Sequence, residues 1–166
     1  MNLKDFHTKV DRVMQEETDS YHRFLDAAQN HEINKSNGNL IIYVEDDPDQ
    51  VSMFKTVLAC YSTPRVLTAF TAEDGRHLIE RKRGRIKCVV MDVDLADDTF
   101  IGLRNGMSLL KWIRATYPDL PLVVFTAHVE LVDELKIEFP SIEVIVKASD
   151  MENVVRVIEK QMQGVA

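Results

Sequence analysis

From residue 40 onward, short apolar runs alternate with longer amphipathic segments. The runs are LIIYV at 40–44, VLTAF at 66–70, IKCVVM at 86–91, LVVF at 122–125 and IEVIV at 142–146. Each has the length of a buried strand and is rich in the β-branched residues that suit a pleated surface. Between and after them, segments at 48–60, 71–83, 106–116, 128–138 and 150–163 repeat apolar residues at three- and four-residue intervals, the spacing that lines one face of a helix. Strands that are apolar on both faces, each followed by a helix, predict a parallel sheet covered on both sides. The punctuation agrees. Pro48 suits a first helical turn, Thr71 ahead of Ala72, Glu73 and Asp74 offers a helix cap, and Pro118 and Pro121 bound the turn into the fourth strand.

The pattern before residue 40 is different. Leu3, Phe6, Val10, Val13, Met14, Tyr21, Phe24, Leu25 and Ala28 recur mostly at helical spacing, interrupted by Glu17, and NKSNGN at 34–39 reads as a turn. The chain therefore divides into an amphipathic helical extension, 1–39, and an α/β domain, 40–166. A lone helix is marginal in water, so the stripe needs a cover: a second copy of the chain in a homodimer, the α/β domain itself, or another protein.

Composition narrows the class. With 45% hydrophobic and 28% charged residues in 166, the chain is a folded domain with an appendage. Twenty Lys and Arg against 27 Asp and Glu give a net charge of −7, which argues against direct DNA binding or an anionic membrane surface. No run approaches the ~18 apolar residues of a membrane span, and the N-terminal stretch, amphipathic and carrying acidic residues, lacks the uninterrupted apolar region of a signal peptide. A cytoplasmic protein is expected. Cys60 and Cys88 read as reduced core thiols. Arg81, Lys82, Arg83, Arg85 and Lys87 read as a solvated turn or as a partner or nucleic-acid contact, and Trp112 and Tyr117 as packing residues. The five histidines, His128 among them, are scattered and form no motif.

The chemistry lies at the strand ends. Ligands of open parallel sheets bind outside the carboxyl ends of the strands, where strand order reverses. Strand one is followed by Glu45, Asp46 and Asp47, strand three by Asp92 and then Asp94, strand four by Thr126, and strand five by Lys147. Any one of these is most simply a solubilising loop residue, whereas all of them together form a constellation. Crowded carboxylates call for a cation, and hard oxygen donors suit Mg2+. Carboxylates, a hydroxyl and a lysine around a divalent ion fit a phosphoryl site in which Asp92 supplies the attacking oxygen.

Over residues 40 to 163, LIIYVEDDPDQ, KCVVMDVDL, LVVFTAH and EVIVKAS resemble the receiver domain of bacterial two-component response regulators of the chemotaxis-regulator type. The resemblance implies a flavodoxin-like (βα)5 doubly wound sheet with strand order 2-1-3-4-5. It also implies the site. Glu45 and Asp46 form the acidic pair and Asp92 is the phosphoacceptor. Asp94 offers its backbone carbonyl to the metal, Thr126 and the Ala127 N–H hold the phosphoryl oxygens, and Lys147 pairs with them. The partners implied are a sensor histidine kinase or phosphotransfer protein and a downstream protein, and the domain assists only its own phosphorylation and dephosphorylation.

Three positions depart from the family pattern. Ala148 replaces the usual proline, and a trans bond is expected because a non-proline cis bond costs about 2.5–4 kcal/mol. Val144 replaces an aromatic residue whose rotation follows phosphorylation. The loop at 93–105 is longer and adds Asp97 and Asp98, with Phe100, Ile101 and Leu103 either folding back or forming a partner-specific ridge. These departures keep open a pseudo-receiver, a phosphorylation-independent interaction or dimerisation module. A phosphatase using Asp92 as nucleophile is disfavoured for want of a separate general acid.

Overall fold

The computed structural model describes residues 40–61, 65–95, 105–147 and 151–163. The helix expected in the extension, the boundary at 39, Ala148 and the loop beyond Leu95 lie outside the described residues.

Among the described residues five strands and five helices alternate: β1 (Leu40–Val44), α1 (Pro48–Tyr61), β2 (Arg65–Ala69), α2 (Ala72–Lys82), β3 (Ile86–Met91), α3 (Asn105–Thr116), β4 (Leu122–Thr126), α4 (Val132–Glu138), β5 (Glu143–Val146) and α5 (Met151–Gln163). Single 3-10 turns at Arg83–Arg85 and Val129–Leu131 precede β3 and α4. The sheet is parallel throughout, in the order β2-β1-β3-β4-β5. This is the flavodoxin-like α/β arrangement, and its strand order reverses between β1 and β3.

Alternation along β1 explains the two covered faces. Ile41 and Tyr43 join Val51, Phe54 and Leu58 of α1, Cys88 and Val90 of β3, and Val154, Val155 and Ile158 of α5 in one cluster. The next residue, Val44, points the other way, where a Cβ on Gly75 of α2 would lie 3.0 Å from its Cγ2 and 3.1 Å from Leu109 Cδ2 of α3. Glycine at 75 lets α2 press onto the sheet. Thr71 caps α2, its Oγ1 accepting the Asp74 N–H at 3.0 Å.

Register sets where the strands stop. Val44 pairs with Met91, and Met91 with Val124, so Glu45 and Asp92 emerge side by side. Strand β4 continues to Thr126, which pairs with Val146, so Thr126 and Lys147 project beyond the ends of β1 and β3. The ladder extends into these residues. Glu45 N–H donates to Ala69 O (3.0 Å), Asp92 N–H to Val44 O (3.0 Å) and Lys147 N–H to Thr126 O (2.8 Å).

Some expectations need correction. Cys60 is exposed, not a core thiol, because the inward stripe of α1 runs through Val51, Phe54 and Leu58 and position 60 falls off it. Cys88 is buried as expected, and burial pushes its thiol up to about 12. The fourth helix starts at Val132, not 128. His128 N–H donates to Thr126 Oγ1 (3.2 Å) and the backbone there is non-helical, so a 3-10 turn intervenes. Strand β2 ends at Ala69, leaving Phe70 43% exposed. Trp112 and Tyr117 do pack, edge to face at 5.5 Å, with Arg76 over the first ring and Arg83 over the second. These contacts tie α2 and its following turn to α3. No helix among the described residues is long and apolar enough to cross a membrane.

Gly106 is fixed by contact with the site. A Cβ there would lie 2.5 Å from Asp92 O and from Val93 Cα, backbone atoms that have no rotamer to yield. Gly106→Ala is expected to cost about 1–3 kcal/mol in urea unfolding. Gly84→Ala, where a Cβ meets nothing within 4 Å, should stay within about 0.5 kcal/mol. Equal midpoints for the two variants would contradict the packing described.

Candidate functional site

Glu45, Asp92 and Lys147 meet at the carboxyl edge of the sheet. The Lys147 ammonium lies 2.6 Å from Asp92 Oδ2 and 2.7 Å from Glu45 Oε2. All three are sheltered from solvent, with side chains 15%, 6% and 1% exposed respectively. Burying a carboxylate is costly unless it is paired and hydrogen-bonded, and the sheet supplies both conditions. Asp92 Oδ1 accepts the Asp94 N–H at 3.1 Å. Glu45 Oε2 also accepts the Tyr43 hydroxyl at 2.9 Å, and Oε1 takes a longer contact from Asp47 N–H at 3.4 Å.

Proton equilibria reflect this crowding. Burial raises Glu45 above the ordinary carboxylate range and Asp92 adds to it, against the hydrogen bonds and charge of Lys147 and the Tyr43 hydroxyl. Burial by itself would lower Lys147. The hydrogen bonds and charges of Asp92 and Glu45 outweigh it, so the ammonium stands above its ordinary value and stays protonated at neutral pH. Two carboxylates thus share one permanent cation.

Around this centre the other expected residues take different places. Thr126 is fully buried at the end of β4, its hydroxyl oxygen occupied by the His128 N–H. Ala127 follows it, exposed, and Asp46 is half-buried after Glu45. Asp94 sits at the rim, where Oδ2 lies 2.6 Å from His128 Nε2, and the other ring nitrogen lies 2.7 Å from Glu130 Oε1. Asp47 faces the helix, its Oδ1 accepting the Asp49 N–H (2.8 Å) at the start of α1, which makes it a capping residue.

Three neighbours of the site did not stand out in the sequence. Tyr43 could have been found, since residues two apart on a strand share a face and 43 and 45 are such a pair. His128 could have been found from its place two residues after Thr126. Nothing in the sequence marks Gly106 as touching the backbone of Asp92.

The donor set consists of carboxylate and carbonyl oxygens, which fits a hard cation such as Mg2+ better than a soft transition metal. Among the described residues no three His, Cys, Asp or Glu side chains form a ready-made metal cluster. Lys147 holds the facing carboxylate oxygens of Glu45 and Asp92. The other oxygen of each, Glu45 Oε1 and Asp92 Oδ1, is the one a cation here would draw on.

The profile described as response regulator receiver domain matches residues 41–159. No curated protein matches the chain. Among solved structures, a response regulator receiver domain protein from Clostridium thermocellum superposes with a TM-score of 0.64 at 18% identity, covering 76% of this chain and 95% of that one. A CheY-like receiver domain protein from Methanospirillum hungatei JF-1 gives 0.63 at 19%, covering 77% and 96%. The receiver domain of the hybrid histidine kinase CckA gives 0.58 at 21%, covering 75% and 99%.

The His128 ring has a carboxylate at each nitrogen, and the hydrogen bonds its N–H groups donate to Glu130 and then Asp94 hold its pKa above the usual 6.5. A pKa raised on folding means that the pairs contribute stability fully below the unfolded value and lose it as pH rises through the folded one. An NMR titration of His128 in magnesium-free buffer should place its midpoint above that of an unstructured histidine. Glu130→Gln and Asp94→Asn should each lower it, and an unshifted midpoint would contradict the bridge.

Proposed function

Because the chain belongs to the response regulator receiver domain family over residues 41–159, we propose that it is the phosphoacceptor of a two-component histidine-to-aspartate phosphorelay. It takes a phosphoryl group on Asp92 and signals through protein contacts. The observation that carries this reading is the buried Asp92 carboxylate held 2.6 Å from the Lys147 ammonium at the strand-order switch. A sheltered nucleophile with a fixed cation beside it suits a reaction in which positioning and charge neutralisation supply most of the catalysis.

The donor is a phosphohistidine on a sensor histidine kinase or phosphotransfer protein. An Asp92 oxygen attacks phosphorus, a P–O bond forms, and the P–N bond breaks with its electron pair leaving on the imidazole, which takes up a proton. The product is an acyl phosphate on Asp92. Lys147 pairs with a peripheral oxygen as charge develops, and the Thr126 hydroxyl and the Ala127 N–H take others. Glu45, Asp46, Asp92 and the Asp94 carbonyl are the groups that would hold Mg2+, which when bound neutralises the incoming phosphate. Hydrolysis of the acyl phosphate resets the domain, so it assists only its own modification and is not a classical enzyme.

Phosphorylation adds about −1.5 to −2 charge, and Lys147 is the cation placed to answer it. Its engagement loosens its hold on Glu45, and movement of Thr126 disturbs the His128 N–H that now occupies the hydroxyl. Both changes reach the face made by α4, β5 and α5. Val144 is a half-buried valine paired with Val124 on β5, so the output works through Lys147 and Thr126 rather than through rotation of an aromatic ring there.

Incubation with magnesium and a small acyl-phosphate donor, followed by intact-mass measurement, tests this reading. The wild type should gain one phosphoryl group only with magnesium, and Asp92→Asn should gain none. An unmodified wild type, under conditions that label an authentic receiver domain, would favour the pseudo-receiver: an interaction module independent of phosphorylation.

A further inference from the structure

Tyr43 is a polar residue in the apolar centre of the domain. It is fully buried on β1, and its ring stacks on Phe54 of α1 with centroids 4.1 Å apart and planes at 27°. A phenylalanine would make the same stack. What tyrosine adds is a hydroxyl, and a hydroxyl buried without a partner costs about 1–3 kcal/mol on mutational scales. Its partner is Glu45 Oε2, 2.9 Å away and on the same face of the strand. Burial, and then the charge of Glu45, raise the phenol above its ordinary value, and the hydroxyl donates to Glu45.

The contacts of the two Glu45 oxygens are unequal. Oε2 accepts from Tyr43 on one side and meets Lys147 Nζ at 2.7 Å on the other. Oε1 has the 3.4 Å contact with Asp47 N–H. The proposed chemistry asks Lys147 to turn toward the phosphoryl group. Tyr43 is then the contact that keeps Oε2 directed into the fold while Oε1 retains the capacity to bind a cation.

We infer that Tyr43 is a positioning residue for the divalent cation, its hydroxyl fixing the rotation of the Glu45 carboxylate through the Tyr43–Glu45 hydrogen bond. The inference rests on the reading of Glu45 as a cation ligand given above. Groups that orient a ligand in this way typically contribute 10- to 100-fold to metal affinity, and one hydrogen bond to one ligand of a mostly aqueous ion belongs at the low end of that range.

Calorimetric titration of the full chain with magnesium chloride tests it. Tyr43→Phe keeps the stack and should weaken magnesium binding about tenfold. In the Glu45→Gln background the same change should have no further effect, because the two residues act as one unit. Phe54→Leu, which disturbs the stack but keeps the hydroxyl, should lower thermal stability and leave the magnesium constant unchanged. With the acyl-phosphate donor, Tyr43→Phe should raise the magnesium concentration giving half-maximal rate and leave the rate at saturating magnesium unaltered.

An unchanged magnesium constant in Tyr43→Phe would overturn the inference while leaving the phosphoacceptor reading intact, as would independent, additive losses in the two single variants. Wild-type protein that binds no magnesium would overturn the reading of Glu45 as a ligand, and this inference with it.

Discussion

One ammonium group joins the ends of three strands. Lys147 follows β5, Asp92 follows β3 and Glu45 follows β1, and Nζ reaches both carboxylates at 2.6–2.7 Å in a place nearly closed to water. Removing the ammonium would leave both carboxylates uncompensated where ions are poorly solvated, and breaking a buried pair costs about 3–5 kcal/mol. An apolar arrangement could be as stable. What the ionic one adds is a shielded carboxylate held in a fixed direction beside a cation.

The rest of the domain keeps that contact in place. Parallel register brings Val44 level with Met91, and the strand hydrogen bonds continue into Glu45, Asp92 and Lys147, so their backbones belong to the sheet rather than to mobile loops. From beneath, the Tyr43 hydroxyl holds Glu45. On the opposite face, the absent side chain of Gly106 lets the first turn of α3 rest on the backbone of Asp92 and Val93. At the rim, His128 links Asp94 to Glu130 and lends its N–H to Thr126. The covered sheet therefore acts as a jig for a few oxygen atoms.

Much of this was legible in the sequence because apolar runs and helical spacing are local signals. The β3 run at Ile86–Met91 and the β1 run at Leu40–Val44 coincide with the observed strands, and the Thr71 cap forms as its residue types imply. The placing of Glu45, Asp92, Thr126 and Lys147 at strand ends followed from the same pattern. Side-chain partners are not local, and there the reading was thinner. Cys60 looked apolar by neighbourhood but faces solvent, since helix phase rather than nearby composition decides burial. His128 looked incidental until the β4–α4 turn brought it against Asp94, 34 positions away in the chain. Gly106 shows its purpose only in the distance from its missing Cβ to another segment's backbone.

The central claim is that Lys147 makes Glu45 and Asp92 tolerable to each other and to the core. Urea unfolding at neutral pH of Lys147→Met, alone and combined with Glu45→Gln, tests it most directly. The single variant should lose about 3–5 kcal/mol, because two buried carboxylates are left unpaired. The double variant should recover a large part of that loss, because one of those charges is gone. A single variant as stable as the wild type, or a double variant whose loss is the simple addition of two single losses, would contradict the account.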